Sequence, residues 1–535
     1  MARFAAIALV NLRVELATVA SEAGVLGIVI AWPGGAVTSE TSIRGNTRLD
    51  EVSLEAHALG VRPGQTIAAA RARAAHLRVR VVQLESVSKT LAGLAEMAFA
   101  FGATTAFEAG GFAGDIVWVD ITGCGHLHAS ESDSDGERTL LARLADRVLG
   151  MGHVCRVAVA DGPHVAAAVA RFASCPSRTS IVAPPIIVPP GGNARALSEL
   201  PLAALALQRG RNEKTFAWLS SIGIRRIADM QKLPRKSLGL RLGADSARVL
   251  SLLEGDDRAP LSAYAPPEIP AEEALLEHPI ESAEALLFVV KRLAGRLAAR
   301  LAGRCAKVSR LELVLRWRRP SMTGKSKSDE EVSTILLAAP LARESDLVSV
   351  LKTKIEAQDR RGPFVAPIEG VVLRAVELVA GNATELDLLT PESKADRALP
   401  KLASELSADL GHEAVGMLAL ANTWVMEDRS RLVPFGVKRA KLPISAFLSG
   451  GTEPSRLLPK PLAVRRSALL HSRLVARFEK VQWWRCAFSS RKSGQRDRVE
   501  QYASWILDIP RPGARTMAWV ETGPDGAAEV RGFLD

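Results

Sequence analysis

The chain has 535 residues, of which 47% are hydrophobic and 24% are charged. This composition is typical of a globular protein and excludes a fibrous or largely disordered chain, while the length predicts roughly three to five domains. No apolar run reaches the roughly 18–20 residues that a membrane span needs. Five scattered cysteines without a CxxC motif indicate neither a disulfide framework nor a structural zinc site. We therefore expect a cytoplasmic protein.

The net charge of +11 is concentrated in one part of the chain. Residues 429–500 contain 17 Lys and Arg but only 4 Asp and Glu, whereas the rest of the chain is nearly neutral. A basic segment after a neutral body favours contact with a polyanion, most often nucleic acid. The alternative is a solvated linker that keeps the protein in solution.

Residues 1–180 alternate apolar strands with alanine-rich helices, which predicts an α+β domain around one sheet. The predicted strands are Phe4–Val10, Ile28–Trp32, Asp115–Thr122 and Cys155–Ala160. The predicted helices are Arg71–Leu77, Ser86–Phe101, Arg138–Leu149 and His164–Ala173. Residues 181–198 contain paired prolines, which forbid a helix and predict an extended linker.

Residues 199–265 are predicted to be helical, with a short glycine turn at Ile222, Gly223 and Ile224. An apolar–Gly–apolar turn between two helices is the helix-hairpin-helix pattern. Its glycine lets the backbone approach a phosphate, and the next helix offers free N–H groups. These three residues are therefore DNA-binding candidates, and a plain αα-hairpin is the alternative.

Residues 270–425 are predicted to form a second, smaller α+β domain. One of its strands ends in Arg316, Arg318 and Arg319, which could follow a phosphate backbone or simply face solvent. Residues 426–470 are then a basic, proline-containing linker, and residues 471–535 are rich in aromatic side chains.

This order of domains resembles that of Y-family (UmuC/DinB-like) translesion DNA polymerases: palm and fingers, helix-hairpin-helix thumb, then little finger. The residues that carry the resemblance are collinear segments of the chain. They are IALVNLRVELA (Ile7–Ala17), LEAHALGVRPGQTIAAARA (Leu54–Ala72), GDIVWVDITGCG (Gly114–Gly125) and VAVADGPHVAAAVARFAS (Val157–Ser174). The resemblance covers roughly residues 1–425 and implies an α+β multidomain, right-hand architecture.

Two Mg²⁺ ions held by carboxylates are what nucleotidyl transfer requires, and the resemblance places their ligands on the first strand and in an acidic pair. Here the first position is Asn11 and the pair is Asp115-Ile116. An amide and an isoleucine cannot hold two divalent ions, so we expect no metal and no cofactor. Asp115 remains as a carboxylate that could keep some residual metal affinity.

The positions that contact the triphosphate in the family are also changed. The resemblance implies a Tyr and, three residues on, an Arg, where this chain has Leu54 and His57. Neither side chain can form a bidentate clamp on a phosphate. Arg171 is the residue that could replace the family's basic palm residue, although a structural role is equally compatible with its position.

Loss of the active site on a retained fold is similar to the ImuB-type subgroup of the family. The connector Ile187–Leu205, the stretches Leu410–Trp424 and Ser455–Val464, and the tail beginning VQWWR support this subgroup. The resemblance implies a nucleoid-associated scaffold that bridges DNA, the sliding clamp, an error-prone DnaE-type polymerase and a RecA-like accessory protein.

Partner-binding residues are predicted in the C-terminal third. Leu432 and Phe435 are weak candidates for a clamp-binding peptide, since the family's Gln is missing. The tryptophans of the tail are candidates for recruiting a partner, because Trp is enriched at binding hot spots. They are Trp483, Trp484, Trp505 and Trp519. The alternative is a small β domain with these tryptophans in its core.

The sequence thus predicts a non-catalytic Y-family homologue that acts as a scaffold in translesion synthesis and damage-induced mutagenesis. Two alternatives remain open. An active Y-family polymerase would need a metal site built on Asp115, Asp120 or a misaligned carboxylate, with Mg²⁺ as its cofactor. A general DNA-binding protein would share only the hairpin domain with the family.

Overall fold

The fold was analysed in a computed structural model. It describes residues 2–18, 24–35, 37–111, 114–129, 136–173, 184–206, 213–319, 327–362, 364, 366–381, 394–420, 430–434, 456–464, 470–479, 503–511, 514–522 and 528–534. The chain divides into two compact units, Met1–Asp409 and Leu410–Asp535. Each unit is described by itself below.

The first unit is built around a five-stranded sheet, which we call the palm sheet. Its strands are β1 (Phe4–Ala8), β5 (Thr104–Gly111), β6 (Gly114–Asp120), β7 (Arg156–Ala160) and β8 (Ile186–Ile187). They lie in the order β5-β6-β1-β7-β8, antiparallel except for the β7–β8 pair. Its helices are α1 (Leu12–Ala17), α4 (Leu84–Ala98), α5 (Gly136–Gly150) and α6 (Pro163–Phe172), with a 3₁₀ turn at Gly125–Leu127.

Both faces of the palm sheet are buried, which explains why its strands read as nearly continuous apolar runs. One face carries Ile7, Val117 and Val119 and packs on α4 and α5. The other face carries Ile116 and Trp118 and packs on α6 and on the helices that follow the sheet.

A small three-stranded sheet is inserted between α1 and α4. It has the order β3-β2-β4, formed by β2 (Leu26–Ala31), β3 (Glu51–Val52) and β4 (Arg78–Gln83). Two short helices, α2 (Leu54–Ala58) and α3 (Ile67–Arg73), pack on it, with a 3₁₀ turn at Glu40–Ser42. Its apolar core includes Leu49, Val61 and Ile67. This sheet corresponds to the predicted fingers.

Residues 193–253 form a helical region, which we call the thumb. Its helices are α7 (Asn193–Ser198), α8 (Glu213–Ser221), α9 (Ile227–Gln231), α10 (Arg235–Leu242) and α11 (Ser246–Leu253), with 3₁₀ turns at Leu202–Leu205 and Gly243–Asp245. Its core side chains, such as Phe216 and Met230, are continuous with the palm sheet's apolar face. The thumb therefore packs directly on the palm.

The last part of the first unit is a second sheet, which we call the little-finger sheet, with the order β11-β10-β12-β9. The strands are β9 (Ala271–Ile280), β10 (Ala306–Arg319), β11 (Lys327–Leu341) and β12 (Ile368–Ala380). The helices are α12 (Ala283–Gly303), α13 (Glu344–Arg361) and α14 (Lys394–Leu410). One face of the sheet packs on α12 and α13, through Leu311, Leu313 and Leu315 among others.

The second unit contains only strands within its described part. A two-stranded ladder joins β13 (Gly416–Leu420) to β14 (Ser430–Pro434). A five-stranded antiparallel sheet has the order β15-β19-β18-β17-β16. Its strands are β15 (Arg456–Ala463), β16 (Arg473–Glu479), β17 (Ala503–Arg511), β18 (Ala514–Thr522) and β19 (Ala528–Leu534).

The predicted α+β multidomain fold is confirmed. The domain boundaries stay predictions, and three details differ from them. The linker at 181–198 contains strand β8, and the linker at 426–470 contains β15, which pairs with β19. Strand β13, expected in the little finger, pairs with β14 of the second unit instead. Of the described helices, none combines the length and the apolarity needed to cross a bilayer.

Candidate functional site

The position of the family's metal site lies where strand β1 ends and strand β6 begins. The two strands are antiparallel, with Ala8 opposite Ile116, and the Leu9 N–H donates to the Asp115 carbonyl at 2.9 Å. Asn11 then precedes α1, and its side chain makes no capping hydrogen bond. The topology therefore brings the start of α1 next to Asp115.

Arg13, on the first turn of α1, forms a bidentate ion pair with Asp115. Its Nε and Nη2 donate to Oδ2 and Oδ1 of Asp115 at 2.8 and 3.1 Å. The side chains are only 10% and 3% exposed. An unpaired charge in such a buried position would strongly destabilise the fold, whereas the paired carboxylate and guanidinium neutralise each other. The Arg13 guanidinium thus neutralises Asp115, the one carboxylate that remains at the position where the resemblance expects metal ions.

The end of strand β5 adds a third donor to Asp115. The Gly110 N–H donates to Oδ1 at 2.7 Å, and Gly110 has a φ of +69°. A Cβ at this position would lie 2.9 Å from the Trp32 ring and 3.5 Å from Arg13 Nη2. Glycine is required here by both the backbone angle and the close approach.

Glu51, on β3 of the fingers, is the second carboxylate near Arg13, with its Oε2 3.8 Å from Arg13 Nε. Burial raises the pKa of Glu51 from 4.5 to about 7, and the Arg13 charge opposes this shift. Between about pH 4.5 and pH 7, Glu51 therefore carries a proton in the folded protein that it has lost in the unfolded chain. The contribution of Glu51 to stability is lost as the pH rises from about 4.5 through about 7.

Arg171, the last residue but one of α6, completes the cluster. A Cβ at Gly114 would lie 3.5 Å from its guanidinium carbon, which places the side chain beside the start of β6. Burial lowers the pKa of Arg171, while the Glu51 and Asp115 charges raise it. We call Arg13, Glu51, Asp115 and Arg171 the Arg13 cluster; its two cations and two carboxylates are formally balanced.

The residues present do not fit a two-metal site. Ile116 is 1% exposed in the apolar core on the opposite face of the palm sheet from Asp115. Asp120 lies five residues further along the strand, about 17 Å away, and accepts hydrogen bonds from Thr122. Across the described residues, no three or more His, Cys, Asp or Glu side chains are grouped to hold a metal ion.

The two predicted triphosphate positions lie on α2. Leu54 begins this helix and is 72% exposed, and His57 is also exposed, while its carbonyl accepts from Arg62. Their role stays a prediction, because nothing in the described geometry tests nucleotide contact.

The thumb presents the predicted hairpin on its surface. Gly223 has a φ of +97°, no atom lies within 4 Å of the position of a Cβ there, and Ile222 is 54% exposed. A second open glycine turn, Gly243, has a φ of +60°. Residues 213–255 carry eight Lys and Arg against four Asp and Glu, a net charge of +4. These features form a basic surface with accessible backbone, which suits phosphate contact.

The basic strand end of the little-finger sheet is different, because Arg316, its one arginine with a described side chain, is already paired. Arg316 contacts Glu273 and donates to Glu330 Oε1 at 2.7 Å. Two further cross-strand pairs, Arg310 with Glu377 and Arg374 with Glu312, lie on the same strands. The side chains of Arg318 and Arg319 lie outside the described residues. A phosphate would have to displace carboxylates to reach Arg316, so the thumb is the stronger DNA-binding candidate.

The candidates of the second unit are only partly described. Leu432 is 43% exposed on β14, whereas Phe435, Trp483 and Trp484 lie outside the described residues. Trp505 lies on β17 opposite Val520. Trp519 is 8% exposed in the five-stranded sheet. The partner-binding role of these tryptophans stays a prediction, although the low exposure of Trp519 leaves little of its side chain accessible.

Comparisons with known proteins bear on the family. No family model matches the chain. It is 27% identical over 303 residues to Protein ImuB from two strains of Caulobacter vibrioides, NA1000 / CB15N and ATCC 19089 / CIP 103742 / CB 15. The match covers 56% of this chain and 59% of each relative, so the chain spans about three fifths of their length. The predicted resemblance to ImuB proteins is confirmed.

Solved structures with a similar backbone are DNA polymerases. The insertion ternary complex of Dbh DNA polymerase is 12% identical, with a TM-score of 0.37, and covers 70% of this chain and 98% of its own. The same values hold for the Y-family DNA polymerase chimera Dbh-Dpo4(243-245)-Dbh. DinB from Sulfolobus solfataricus is 12% identical, with a TM-score of 0.35, and covers 71% of this chain and 100% of its own.

Proposed function

We propose that this ImuB-like chain is a non-catalytic homologue of Y-family polymerases that acts as a DNA- and partner-binding scaffold in error-prone translesion synthesis and induced mutagenesis. The observation that carries the proposal is the bidentate pair of Arg13 with Asp115, at 2.8 and 3.1 Å. It supports loss of catalysis at the position where the resemblance expects metal ions. Primer extension by the purified chain tests the loss of catalysis, and pull-down of the partner polymerase tests recruitment.

The chemistry of the Arg13 cluster argues against nucleotidyl transfer. A guanidinium can neutralise a carboxylate or contact a phosphate, but it cannot lower the pKa of a primer hydroxyl as two coordinated Mg²⁺ ions do. The active-polymerase alternative would need Arg13 to leave Asp115 and expose a buried charge. Binding is thus the function that the remaining residues support.

Binding of primer–template DNA should depend on the thumb and on salt. We expect Arg225→Ala/Lys236→Ala to weaken binding and to reduce the slope of log affinity against log salt by about 2, because each lost phosphate contact removes about one unit. Both residues are exposed and lie at the start of α9 and on α10. Fluorescence anisotropy with labelled DNA between about 50 and 200 mM salt measures both effects.

The control for this pair is Lys291→Ala, which removes an exposed charge from α12 of the little finger. Its salt slope should equal that of the wild type. We avoid replacing Gly223 itself, since any side chain at a φ of +97° strains the backbone and confuses binding with stability. An unchanged slope in Arg225→Ala/Lys236→Ala would show that the thumb does not contact the phosphates.

The partners that we propose are the sliding clamp, an error-prone DnaE-type polymerase and a RecA-like accessory protein. They come from the resemblance to ImuB-type proteins. The basic segment 429–500 and the aromatic tail support a recruiting role for the C-terminal third, because Arg and Trp are enriched at binding hot spots.

A further inference from the structure

A buried charge cluster joins the little finger to the palm. Its centre is Glu96, on the last turns of palm helix α4, whose side chain is 0% exposed. Glu96 Oε1 accepts from Arg300 Nη2 at 2.7 Å, and Oε2 accepts from Arg300 Nε at 3.0 Å and Arg304 Nε at 2.9 Å. Arg300 Nη1 also donates to Glu272 Oε1 at 2.7 Å. The carboxylates of Glu96 on α4 and Glu272 on β9 thus neutralise the guanidinium groups of two arginines on and just after α12.

Tyr264, in the segment between the thumb and the little finger, also contacts Glu96. The Tyr264 hydroxyl donates to Glu96 Oε1 at 3.0 Å, and its ring packs edge-on against Phe107 with centroids 5.3 Å apart. Its N–H donates to the Thr105 carbonyl of β5 at 2.8 Å. Burial and the Glu96 charge raise the pKa of Tyr264 to about 12, so this hydroxyl remains a donor at neutral pH.

The backbones of the two regions approach closely beside the cluster. A Cβ on Gly303, at the end of α12, would lie 1.9 Å from the Glu96 carbonyl oxygen and 3.0 Å from Met97 Cα. Such distances leave no room for any side chain but glycine's hydrogen. The fit of α12 on α4 is therefore specific rather than a loose contact.

A second polar contact lies further along α12. Arg296 Nε donates to the Met151 carbonyl at 3.2 Å, and its Nη2 lies 3.3 Å from His153 Nε2. His153 Nδ1 lies 3.0 Å from Glu15 Oε2, on the same short helix as Arg13. His153 thus lies between α12 of the little finger and α1 of the palm, in contact with Arg296 and Glu15.

We infer that this palm–little-finger contact is a lock: Glu96, Arg300, Arg304, Glu272 and Tyr264 hold the little finger on the palm as one rigid piece in the free protein. Because the thumb packs on the opposite face of the palm sheet, the lock fixes the spacing between the thumb hairpin and the little-finger sheet. The lock itself is independent of the proposed function; its use in presenting a preset DNA groove rests on that function.

Proteolysis of the Tyr264–Ala265 bond in the full chain tests the lock. Cleavage after Tyr264 by chymotrypsin, identified by mass spectrometry, requires this residue to leave Glu96 and Phe107, so its rate follows the open population. We expect Glu96→Gln and Gly303→Ala each to raise this rate at least about tenfold, since one removes a buried charge and the other makes α12 clash with α4.

Two matched variants are the controls. Glu85→Gln lies on the same helix but in an exposed pair with Lys89, and Gly93→Ala adds a Cβ at an ordinary 3.7 Å from Glu272. Both should cleave at the wild-type rate, and cleavage after Phe107, which is half-buried in strand β5, should stay slow in all variants. The inference is overturned if wild-type Tyr264 is cut as fast as an exposed loop, or if Glu96→Gln and Gly303→Ala match their controls. It is also overturned if cuts after Phe107 rise in parallel, because the variants would then unfold the palm rather than release the little finger.

Discussion

Replacing Arg13 by alanine should lower the free energy of unfolding of the Met1–Asp409 unit by about 3–5 kcal/mol, because Asp115 would keep an uncompensated charge in a buried position. The loss should be larger at pH 8 than at pH 6. The Arg13 charge favours ionised Glu51, whose pKa is about 7, so once Glu51 ionises the variant holds two carboxylates against the single charge of Arg171. Denaturant titrations at both pH values measure the difference.

The controls for Arg13→Ala separate the buried pair from general charge loss. Arg226→Ala removes an arginine whose pair with Glu199 is 66% and 76% exposed, so it should change stability by less than about 1 kcal/mol. The double variant Arg13→Met/Asp115→Asn should recover much of the lost stability, since it leaves no buried charge unpaired. A cost for Arg13→Ala no larger than that of Arg226→Ala would show that the pair is not a structural replacement for the metal site.

Removing residues 456–535 should abolish recruitment of the partner DnaE-type polymerase while leaving DNA binding by the first unit intact. The cut is placed before β15 because that strand pairs with β19, so a cut at residue 470 would leave β15 without the other four strands of its sheet. Pull-down of the purified polymerase by tagged full-length and truncated chains measures the loss. Equal capture by the two chains would move the recruiting site out of the tail.

Tryptophan variants separate loss of partner contact from loss of folding in the tail. Trp483→Ala/Trp484→Ala should weaken capture at least about 30-fold if the pair is a hot spot worth about 2 kcal/mol or more. Trp519 is 8% exposed, so Trp519→Ala should instead destabilise the five-stranded sheet, which far-ultraviolet circular dichroism detects. If the Trp483/Trp484 variant captures normally, these tryptophans are not the contact.

Much of the fold could be predicted because the signals were local. Nearly continuous apolar runs indicated the palm strands, and the prolines and glycines marked the thumb and its turns. The loss of metal ligands at the positions of Asn11 and Ile116 could also be read from the sequence, since a metal site needs particular residue types at fixed positions. The partner strand of β15, by contrast, lies about 70 residues away in the chain, and no local pattern encodes such a pairing.

The chemistry that replaces the metal site could not be read from residue types alone. Arg13 stands two residues after Asn11, but the direction of its side chain depends on where α1 begins and on the close approach of Gly110 at the end of β5. Glu51 reaches the cluster from a separate sheet. The pairing of Arg316 with Glu273 and Glu330 depends likewise on strand register. The one signal in the sequence that could have suggested the Arg13 cluster was a basic residue, Arg13, two positions after Asn11.

We propose that Arg13 closes the position of the metal site and that the chain cannot catalyse nucleotide transfer. Primer extension by the purified chain, with Mg²⁺ or Mn²⁺ and all four nucleotides, tests it most directly. We predict no extension above a protein-free blank, because loss of both metal ions costs many factors of ten in rate, at 1.36 kcal/mol for each factor. Extension by the wild type that disappears in a folded Asp115→Asn variant would contradict the claim and establish an active polymerase.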